Sequence, residues 1–310
     1  MPMNPEAVAQ PHRPSREAAA AIAAASARLA LTGVVSARLD AELLMAAAAG
    51  VSRVTVIAGL AEMAGFPGMA GAAQIDAAVI GRFERMVARR EAREPIAYIV
   101  GRREFYSLEL AVRPGVLIPR PETETVVQAA LDFLRSRLNV TVLDMGTGSG
   151  AIAIAIAKNT ATTRVVALDI SKVSLEVAAE NAQRHGCADR ITFQQGDCFA
   201  SLDRNGPPFD LIVSNPPYIP EAELATLASE IRDFEPRIAL EGGRDGMDFY
   251  RKIARGTARW LARGGEVIVE LGAGQADAVE MMMRAAGCDI SVRMRDLSGV
   301  ERVVRSRRAL

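Results

Sequence analysis

The sequence predicts an α/β protein in which a small helical domain precedes a larger domain built around a parallel sheet. Up to about residue 93, apolar side chains recur at helical spacing. Beyond residue 139, short apolar runs alternate with helical stretches, a pattern typical of a parallel sheet covered by helices on both faces. A chain of 310 residues is long enough for two such domains, each with its own core.

The first fourteen residues contain four prolines and are expected to form a disordered lead, so the helical domain is assigned to residues 15–93. The apolar stretch Ala18–Ala27 is too short to span a bilayer and is rich in alanine, so we expect a soluble helix there rather than a signal peptide. The first expected helix covers Glu17–Leu31 and stops at Gly33. A second helix is capped by Ser36 and ends at Gly50, and its apolar face carries Ala41, Leu43, Leu44 and Ala47. A glycine-containing loop near 59–72 follows, and then a helix carrying Ile75, Val79, Phe83 and Val87.

From residue 95 the apolar period changes from helical to alternating, which predicts a β-hairpin linker over residues 94–120. The remaining residues, 121–310, are expected to form the second domain. Its predicted elements are a helix over 122–138, strands over 140–145, 164–170, 191–195, 210–214 and 266–271 with helices between them, a helix over 247–262, and a final hairpin of strands over 289–295 and 301–306.

A glycine-rich loop follows the first strand of this second domain, in the stretch VLDMGTGSGAIAIA. Gly146, Gly148 and Gly150 allow a tight turn and bring a ligand close to the N–H groups that begin the next helix. Asp169 ends the following strand, where its carboxylate can accept hydrogen bonds from both hydroxyls of a ribose. With Ala151 the loop also satisfies the dinucleotide pattern. The loop alone therefore leaves a nicotinamide dinucleotide and S-adenosylmethionine both open.

Two further carboxylates favour S-adenosylmethionine. Asp144 directly precedes the glycines, and Asp197 follows the third strand in QQGDCF, where it can meet an adenine amino group. Three carboxylates at three strand ends would repel a pyrophosphate and attract a sulfonium. A nicotinamide-dependent oxidoreductase would also need an acid or base such as histidine, and neither His12 in the lead nor His185 at a helix end is suitably placed.

Composition constrains the surroundings of the protein. The three cysteines form no CxxC pair, which is typical of a protein of the reducing cytoplasm and predicts no metal site. Lys plus Arg and Asp plus Glu are both 37, so the chain lacks the basic excess of a dedicated duplex-binding protein. We therefore expect a cytoplasmic monomer with no nucleic-acid or membrane partner.

The apolar run FDLIV ends in SNPPYIP, so a buried strand gives way to an amide, two prolines and an aromatic side chain. Asn215 lies where the strand stops, at the edge of the sheet that faces the ligand crevice. Its side-chain oxygen and a flanking backbone carbonyl can accept both N–H bonds of a planar amino group. Pro216 and Pro217 stiffen this segment, and Tyr218 offers a flat face. Such amino groups include adenine N6, cytosine N4 and the glutamine amide.

Over most of its length the chain resembles the protein-(glutamine-N5) methyltransferases of peptide chain release factors, the HemK/PrmC family. The similar segments are PIAYIVGRREFY, VLIPRPETE, VLDMGTGSGAIAIA, SNPPYIP, EPRIALEGGRDGMDFYRKI and DLSGVERVV. IPRPETE combined with NPPY is specific, whereas the glycine loop or NPPY alone is not. The resemblance implies a five-helix-like N-terminal domain that docks the release factor. It also implies a seven-stranded, Rossmann-like, S-adenosylmethionine-dependent methyltransferase domain that acts on the glutamine of a GGQ tripeptide.

The resemblance also implies roles for individual residues. The catalytic residues would be Asn215, Pro216 and Tyr218. The cofactor would be bound by Gly146, Thr147, Gly148, Ser149, Gly150, Asp169, Asp197, Cys198 and Asn215. The substrate would be bound by Phe105, Asn215, Pro216, Pro217 and Tyr218. Arg120 and Glu122 would be structural or cofactor-side groups of the covering loop. The chain departs from the family at Ala97, where Gln is common, and at Cys198, where a larger aromatic residue often lies against adenine.

Three alternatives stay open at this point. A sister enzyme that methylates a glutamine of a large-subunit ribosomal protein shares the catalytic domain, and only the N-terminal helices would distinguish it. An adenine-N6 DNA methyltransferase shares NPPY but would need a target-recognition domain and a basic groove. A non-catalytic binding module would not need Asp169 and Asn215, which are both present.

Overall fold

The computed structural model describes residues 16–63 and 75–310. These residues divide into two compact units on either side of the Val100–Gly101 peptide bond. The predicted lead, and the part of the predicted loop that covers 64–72, lie outside the described residues. Within the described ranges, no helix is both long and apolar enough to cross a membrane.

The first unit consists of helices packed around one apolar core. In the described part of the chain these are α1 (Arg16–Leu31), α2 (Ala37–Ala49), α3 (Arg53–Met63), α4 (Ala77–Glu91) and α5 (Ile96–Val100). Two of them differ from expectation. Helix α3 occupies the start of the predicted loop, and α5 replaces the predicted start of the hairpin. Helix α5 begins directly after Pro95, and its consecutive residues Ala97, Tyr98 and Ile99 are all buried. The apolar residues of this segment therefore show no helical spacing in the sequence.

The buried face of α2 is broader than its apolar pattern suggests. Ala41 and Leu44 are fully buried as predicted, but Leu43 and Ala47 are only half-buried. A charged residue of the same helix points inward instead: Asp40 accepts a hydrogen bond from Arg90 of α4 at 2.7 Å. Because both charges are buried, this ion pair fixes α2 against α4 through a specific contact as well as through apolar packing.

The second unit begins with a hairpin and continues as a sheet with helices. The hairpin strands are β1 (Arg102–Phe105) and β2 (Leu108–Ala111), and a 3₁₀ turn at Pro121–Thr123 leads into the first helix. The remaining elements are α6 (Glu124–Leu134), β3 (Thr141–Met145), α7 (Ala151–Asn159), β4 (Arg164–Asp169), α8 (Lys172–Arg184), β5 (Ile191–Gln195), β6 (Phe209–Ser214), α9 (Ser229–Arg232), α10 (Asp248–Trp260), β7 (Leu261–Glu270), α11 (Ala276–Ala285), β8 (Cys288–Arg295) and β9 (Glu301–Arg308).

The main sheet has seven strands in the order β5-β4-β3-β6-β7-β9-β8. Strands β3 to β7 are parallel, and β9 runs antiparallel to both β7 and β8. The predicted seven-stranded, Rossmann-like methyltransferase fold is confirmed. The final hairpin is also confirmed.

Alternate residues of the strands enter two separate cores, one on each face of the sheet. Val142 lies in the core formed with α6 and α7, whereas its neighbour Leu143 lies in the core formed with α10 and α11. Both residues are fully buried, because the sheet is covered on both sides. The carboxyl ends of the parallel strands are thereby held at one rigid edge.

The glycine loop between β3 and α7 offers a direct test of this packing. Gly150 and Gly148 both have positive φ, +83° and +56°. A Cβ on Gly150 would lie 2.9 Å from Ile154 and 3.1 Å from Ala178, whereas a Cβ on Gly148 would meet nothing within 4 Å.

We therefore expect Gly150→Ala to destabilise the protein more than Gly148→Ala. Backbone strain alone costs about 1–2 kcal/mol at either position. Overpacking between α7 and α8 should add about 1–3 kcal/mol at Gly150 only. Urea unfolding of the two variants measures the difference, and equal losses would contradict the packing role of Gly150.

Candidate functional site

A cleft of about 1130 Å³, counting the solvent at its mouth, opens at the carboxyl ends of the parallel strands. It lies where the strand order reverses between β3 and β6, the position at which open α/β sheets bind ligands. Of the residues predicted for the site, those that line the cleft are Gly146, Thr147, Gly148, Ser149, Asp169, Asp197, Cys198, Asn215 and Pro217. Further lining residues include Arg120, Thr123, Phe249 and Lys252.

Asp169 organises the glycine loop while it lines the cleft. One carboxylate oxygen accepts a hydrogen bond from the Gly148 N–H at 2.9 Å, and the other accepts one from the Ser171 N–H at 2.8 Å. Burial raises the pKa of Asp169, although these backbone hydrogen bonds oppose the rise. A carboxylate that is already oriented in this way can receive additional donors from a ligand without reorganising.

Asp144 does not have the position expected of it. Its side chain is fully buried and does not line the cleft. One of its oxygens accepts hydrogen bonds from the Thr147 hydroxyl at 2.6 Å and from the Ala153 N–H at 3.1 Å. Burial raises the pKa of Asp144 to about 7. Asp144 therefore supports the glycine loop and the start of α7 from behind.

Asp197 lines the cleft as predicted, but it is paired with a cation. Lys252 of α10 places its ammonium 2.9 Å from both carboxylate oxygens, and this lowers the pKa of Asp197. The expected rim of three negative charges is therefore wrong. Asp144 is buried, and the charge of Asp197 is balanced by Lys252. Of the three carboxylates, Asp169 is therefore the one that lines the cleft without a basic partner among the described residues.

Asn215 is held by a chain of hydrogen bonds that the sequence did not reveal. Its Nδ2 donates to the Thr123 hydroxyl at 3.0 Å, and that hydroxyl donates to Glu270 Oε2 at 2.6 Å. The other oxygen of Glu270 accepts from the Tyr218 hydroxyl at 3.4 Å. Glu270 is 1% exposed, and burial raises its pKa to about 7. One buried carboxylate thus anchors two side chains of the NPPY segment.

The backbone after Asn215 is also fixed. Gln275 donates its side-chain N–H to the Tyr218 carbonyl at 2.9 Å. Ile219 exchanges backbone hydrogen bonds with the segment around Leu240 and Gly242 at 3.0 and 2.9 Å. A Cβ on Gly246 would lie 2.4 Å from the Tyr218 carbonyl oxygen. The EGGRDG motif therefore packs directly against the NPPY segment, and this contact requires glycine.

Some of the predicted residues lie elsewhere. Phe105 is 1% exposed and packs into the core with α6, because the alternation of β1 directs its side chain inward. Its predicted role in the substrate pocket is therefore corrected to a structural one. Gly150 packs against α8 and does not line the cleft. Pro216 and Tyr218 lie beside the cleft rather than among its lining residues.

The covering loop is held by an ion pair. Arg120 lines the cleft and pairs with Glu235, which is buried and also accepts a hydrogen bond from the Ile118 N–H at 3.1 Å. The resemblance implies a structural or cofactor-side role for Arg120, and both stay predictions, because the side chain holds the loop and also lines the cleft. Glu122 does not line the cleft, and its charge acts on nearby Glu270.

Asn181 of α8 is a further positioning residue that the sequence did not indicate. It is fully buried, and its oxygen accepts from the Ala111 N–H at 2.7 Å. Its Nδ2 donates to the carbonyls of Ala111 and Ser149 at 3.0 and 2.9 Å. The hairpin and the glycine loop are thereby attached to the same side chain. A lone asparagine inside a helical pattern carries no signal of such a role, whereas Glu270 ends the apolar run EVIVE and could have been found by the rule that identified Asp169 and Asn215.

Comparisons with known proteins identify the family. Residues 136–283 match a family described as a methyltransferase domain, and residues 20–101 match the PrmC N-terminal domain. The chain is 42% identical to a release factor glutamine methyltransferase of Geobacter sulfurreducens, over 90% of this chain and 92% of that protein. It is 43% identical to the enzyme of the same name from Moorella thermoacetica, over 86% and 89%. The chain belongs to the release factor glutamine methyltransferase family.

A solved structure from the same family is also similar. It is a protein-(glutamine-N5) methyltransferase, described as release factor-specific, from Alicyclobacillus acidocaldarius, and is 32% identical over 65% of this chain and 100% of that one, with a TM-score of 0.40. The family models and the two relatives confirm the predictions of the family, of a methyltransferase and of S-adenosylmethionine as its cofactor. Apart from the corrected role of Phe105, the roles of the individual site residues stay predictions.

We expect Asn181→Leu, which keeps the branched heavy-atom shape and removes the polar atoms, to destabilise the enzyme by about 2–4 kcal/mol. The change leaves partly buried backbone groups of Ala111 and the buried carbonyl of Ser149 without this hydrogen-bond partner. Because Ser149 belongs to the glycine loop, cofactor affinity should fall as well. Urea unfolding and calorimetric titration measure the two effects, and Asn205→Ala on the surface is the control. An Asn181 variant with unchanged stability would contradict the assignment.

Glu270→Gln should make the free enzyme more stable, and the gain should grow with pH. The folded-state pKa of Glu270, about 7, lies above its ordinary value of 4.5, so folding favours the protonated acid. The stability that Glu270 contributes is present below pH 4.5 and is lost as pH rises through 7. The amide of glutamine does not titrate, so the advantage of the variant should increase by about 2 kcal/mol between pH 5.5 and pH 8. A constant difference in urea unfolding would contradict the raised pKa.

Proposed function

We propose that this protein transfers a methyl group from S-adenosylmethionine to the side-chain amide nitrogen of the glutamine in the GGQ tripeptide of a class I release factor, with S-adenosylhomocysteine and one amide proton released. The observation that carries the proposal is the orientation of Asn215. The side-chain nitrogen of Asn215 donates a hydrogen bond to the Thr123 hydroxyl. The side-chain oxygen is therefore the atom left to accept a hydrogen bond at the cleft. Membership of the family supports the choice of substrate.

The residues of the cleft fit the cofactor. Asp169 has both oxygens oriented by backbone N–H groups at the cleft, which suits the two hydroxyls of a ribose. Asp197 and Cys198 are assigned to the adenine side, and the loop from Gly146 to Ser149 to the remainder of the cofactor. When bound, S-adenosylmethionine supplies an electrophilic methyl group carried on a sulfonium.

The protein's own contribution is to hold the nucleophile in place. An amide nitrogen is a poor nucleophile because its lone pair is delocalised into the carbonyl group. Asn215 would accept one N–H bond of the glutamine amide, and a backbone carbonyl of the NPPY segment would accept the other. Pro216 and Pro217 limit the movement of that segment, and Tyr218 offers a flat face to the amide. Orientation of this kind lowers the barrier by several kcal/mol, and a misplacement of about 1 Å costs on the order of a hundredfold in rate.

The two units are assigned different tasks. The helical domain, predicted over residues 15–93, would recognise the release factor and carry no chemistry. A release factor acts in translation, so the expected location is the cytoplasm. The monomeric state and the absence of nucleic-acid binding stay predictions, and size-exclusion chromatography coupled to light scattering tests the first.

Incubation with methyl-labelled S-adenosylmethionine tests the proposal. A release factor should be labelled, and the same factor with the glutamine of GGQ replaced by alanine should not. A large-subunit ribosomal protein and an adenine-containing duplex serve as the competing acceptors. Labelling of either competitor in preference to the release factor would overturn the assignment of substrate while keeping the chemistry.

Asp169→Ala should weaken cofactor binding by about ten- to a hundredfold or more. Charge-assisted hydrogen bonds contribute about 1.5–3 kcal/mol each, and the ribose would lose its acceptor. Asp169→Asn keeps one acceptor oxygen, so its affinity for the cofactor should lie between those of the wild type and the alanine variant. Calorimetric titration gives the affinities, with exposed Asp289→Asn as the control. An unchanged dissociation constant for Asp169→Ala would remove the ribose assignment.

A further inference from the structure

We infer that Glu270, acting through Thr123, fixes which end of the Asn215 side-chain amide faces the cofactor cleft. Glu270 and Thr123 are thus positioning residues for methyl transfer, and they select an amide over a carboxylate as the substrate. The inference rests on the proposed function, because it explains how Asn215 presents oxygen rather than NH₂ to the glutamine.

The direction of the hydrogen bonds follows from counting protons. An ionised carboxylate can only accept, so the single hydroxyl proton of Thr123 is committed to Glu270 at 2.6 Å. The Thr123 oxygen can then only accept from its second neighbour, 3.0 Å away, and that neighbour must be the NH₂ end of Asn215. The oxygen of Asn215 receives no hydrogen bond from the described residues and is left to bind the substrate.

Protonation of Glu270 would release this constraint. A carboxylic acid can donate to the Thr123 oxygen, and the Thr123 hydroxyl could then donate to Asn215. The amide of Asn215 would turn its oxygen towards Thr123 and its NH₂ towards the cleft. The NH₂ of a glutamine substrate would then meet another donor instead of an acceptor.

Groups from several elements determine the charge of Glu270. Arg302 of β9, which is paired with Asp296, favours the ionised form. Burial and the nearby charge of Glu122 oppose it, and these effects raise its pKa to about 7. Tyr218 donates to its second oxygen from the NPPY segment.

A further contact to Glu270 comes from α10, where Tyr250 donates to its backbone carbonyl at 2.9 Å. That contact holds the strand end without adding charge. Because burial raises its pKa to about 7, the carboxylate of Glu270 should change protonation between pH 6 and pH 8.

The sign of the pH effect follows from the geometry. As pH falls below about 7, Glu270 gains a proton and the constraint on Asn215 is lost, so kcat should fall. Glu270→Gln cannot titrate, yet its oxygen can still accept from Thr123. Between pH 6 and pH 8 the variant should therefore lose the acidic decline of kcat that the wild type shows.

Two substitutions at position 123 separate positioning from packing. Thr123→Val keeps the shape and removes the hydroxyl, whereas Thr123→Ser keeps the hydroxyl and removes a methyl group. Thr123→Val should lower kcat by about ten- to a hundredfold and leave the dissociation constant of S-adenosylmethionine within about twofold. Thr123→Ser should stay within about threefold of the wild-type kcat.

A binding measurement gives a readout that does not depend on turnover. Enzyme saturated with S-adenosylhomocysteine is titrated with a release factor carrying GGQ and with the same factor carrying GGE. Wild-type enzyme should bind GGQ at least about tenfold more tightly, because the oxygen of Asn215 would face the carboxylate of GGE. In Thr123→Val the amide can turn, so the preference should shrink to about threefold or less.

The outcomes distinguish the inference from the proposed function. If the wild-type enzyme does not label the release factor, the proposed function fails. If it does, and Thr123→Val retains wild-type kcat and the full preference for GGQ, the inference is overturned. Equal losses in Thr123→Val and Thr123→Ser would also overturn it, since they would indicate packing alone. Should Thr123→Val not fold, the pH profile of Glu270→Gln decides the same point.

Discussion

The hydrogen bond between the Thr123 hydroxyl and the buried carboxylate of Glu270 is the contact on which the geometry of the site depends. It joins the 3₁₀ turn that ends the covering loop to the end of the inner strand β7. The Thr123 oxygen also accepts a hydrogen bond from Asn215, and the second carboxylate oxygen of Glu270 accepts one from Tyr218, so both side chains of the NPPY segment are held. Burial of the carboxylate costs stability when it is ionised, so its presence at a strand end indicates a functional rather than a stabilising role.

This contact gives a physical reason for the joint occurrence of two motifs. IPRPETE supplies Thr123, and NPPY supplies the amide that Thr123 orients. Neither segment completes the site alone, because a hydroxyl without its carboxylate would not select one end of the amide. The glycines of EGGRDG belong to the same arrangement, since Gly246 lies directly against the Tyr218 carbonyl.

The cofactor side of the cleft is built by the same principle of buried polar anchors. Asp144 and Asn181 lie behind the glycine loop and hold it from two directions, while Asp169 holds it from the cleft side. The flexible glycines thereby adopt one conformation before any ligand arrives. A loop fixed in advance does not lose conformational freedom on binding, which favours affinity.

Much of this could be predicted from the sequence, because the informative residues end strands. Asp169, Asp197 and Asn215 were placed at the cleft by the rule that polar groups at strand ends face the crevice. What the sequence could not show were partners brought from distant elements. Lys252 of α10 forms an ion pair with Asp197, and Asn181 of α8 donates a hydrogen bond to the glycine loop. Helix α5 was also missed, because five residues are too few for a helical period to be visible.

A crystal structure of the enzyme with S-adenosylhomocysteine and a GGQ peptide, determined above pH 8, tests the central claim most directly. We expect the glutamine Nε2 within hydrogen-bond distance of the Asn215 oxygen. We also expect the Asn215 nitrogen to keep its hydrogen bond to Thr123, and the Thr123 hydroxyl to keep its hydrogen bond to Glu270. A complex in which the glutamine amide contacts neither Asn215 nor the NPPY backbone, or in which Asn215 leaves Thr123 on binding, would contradict it.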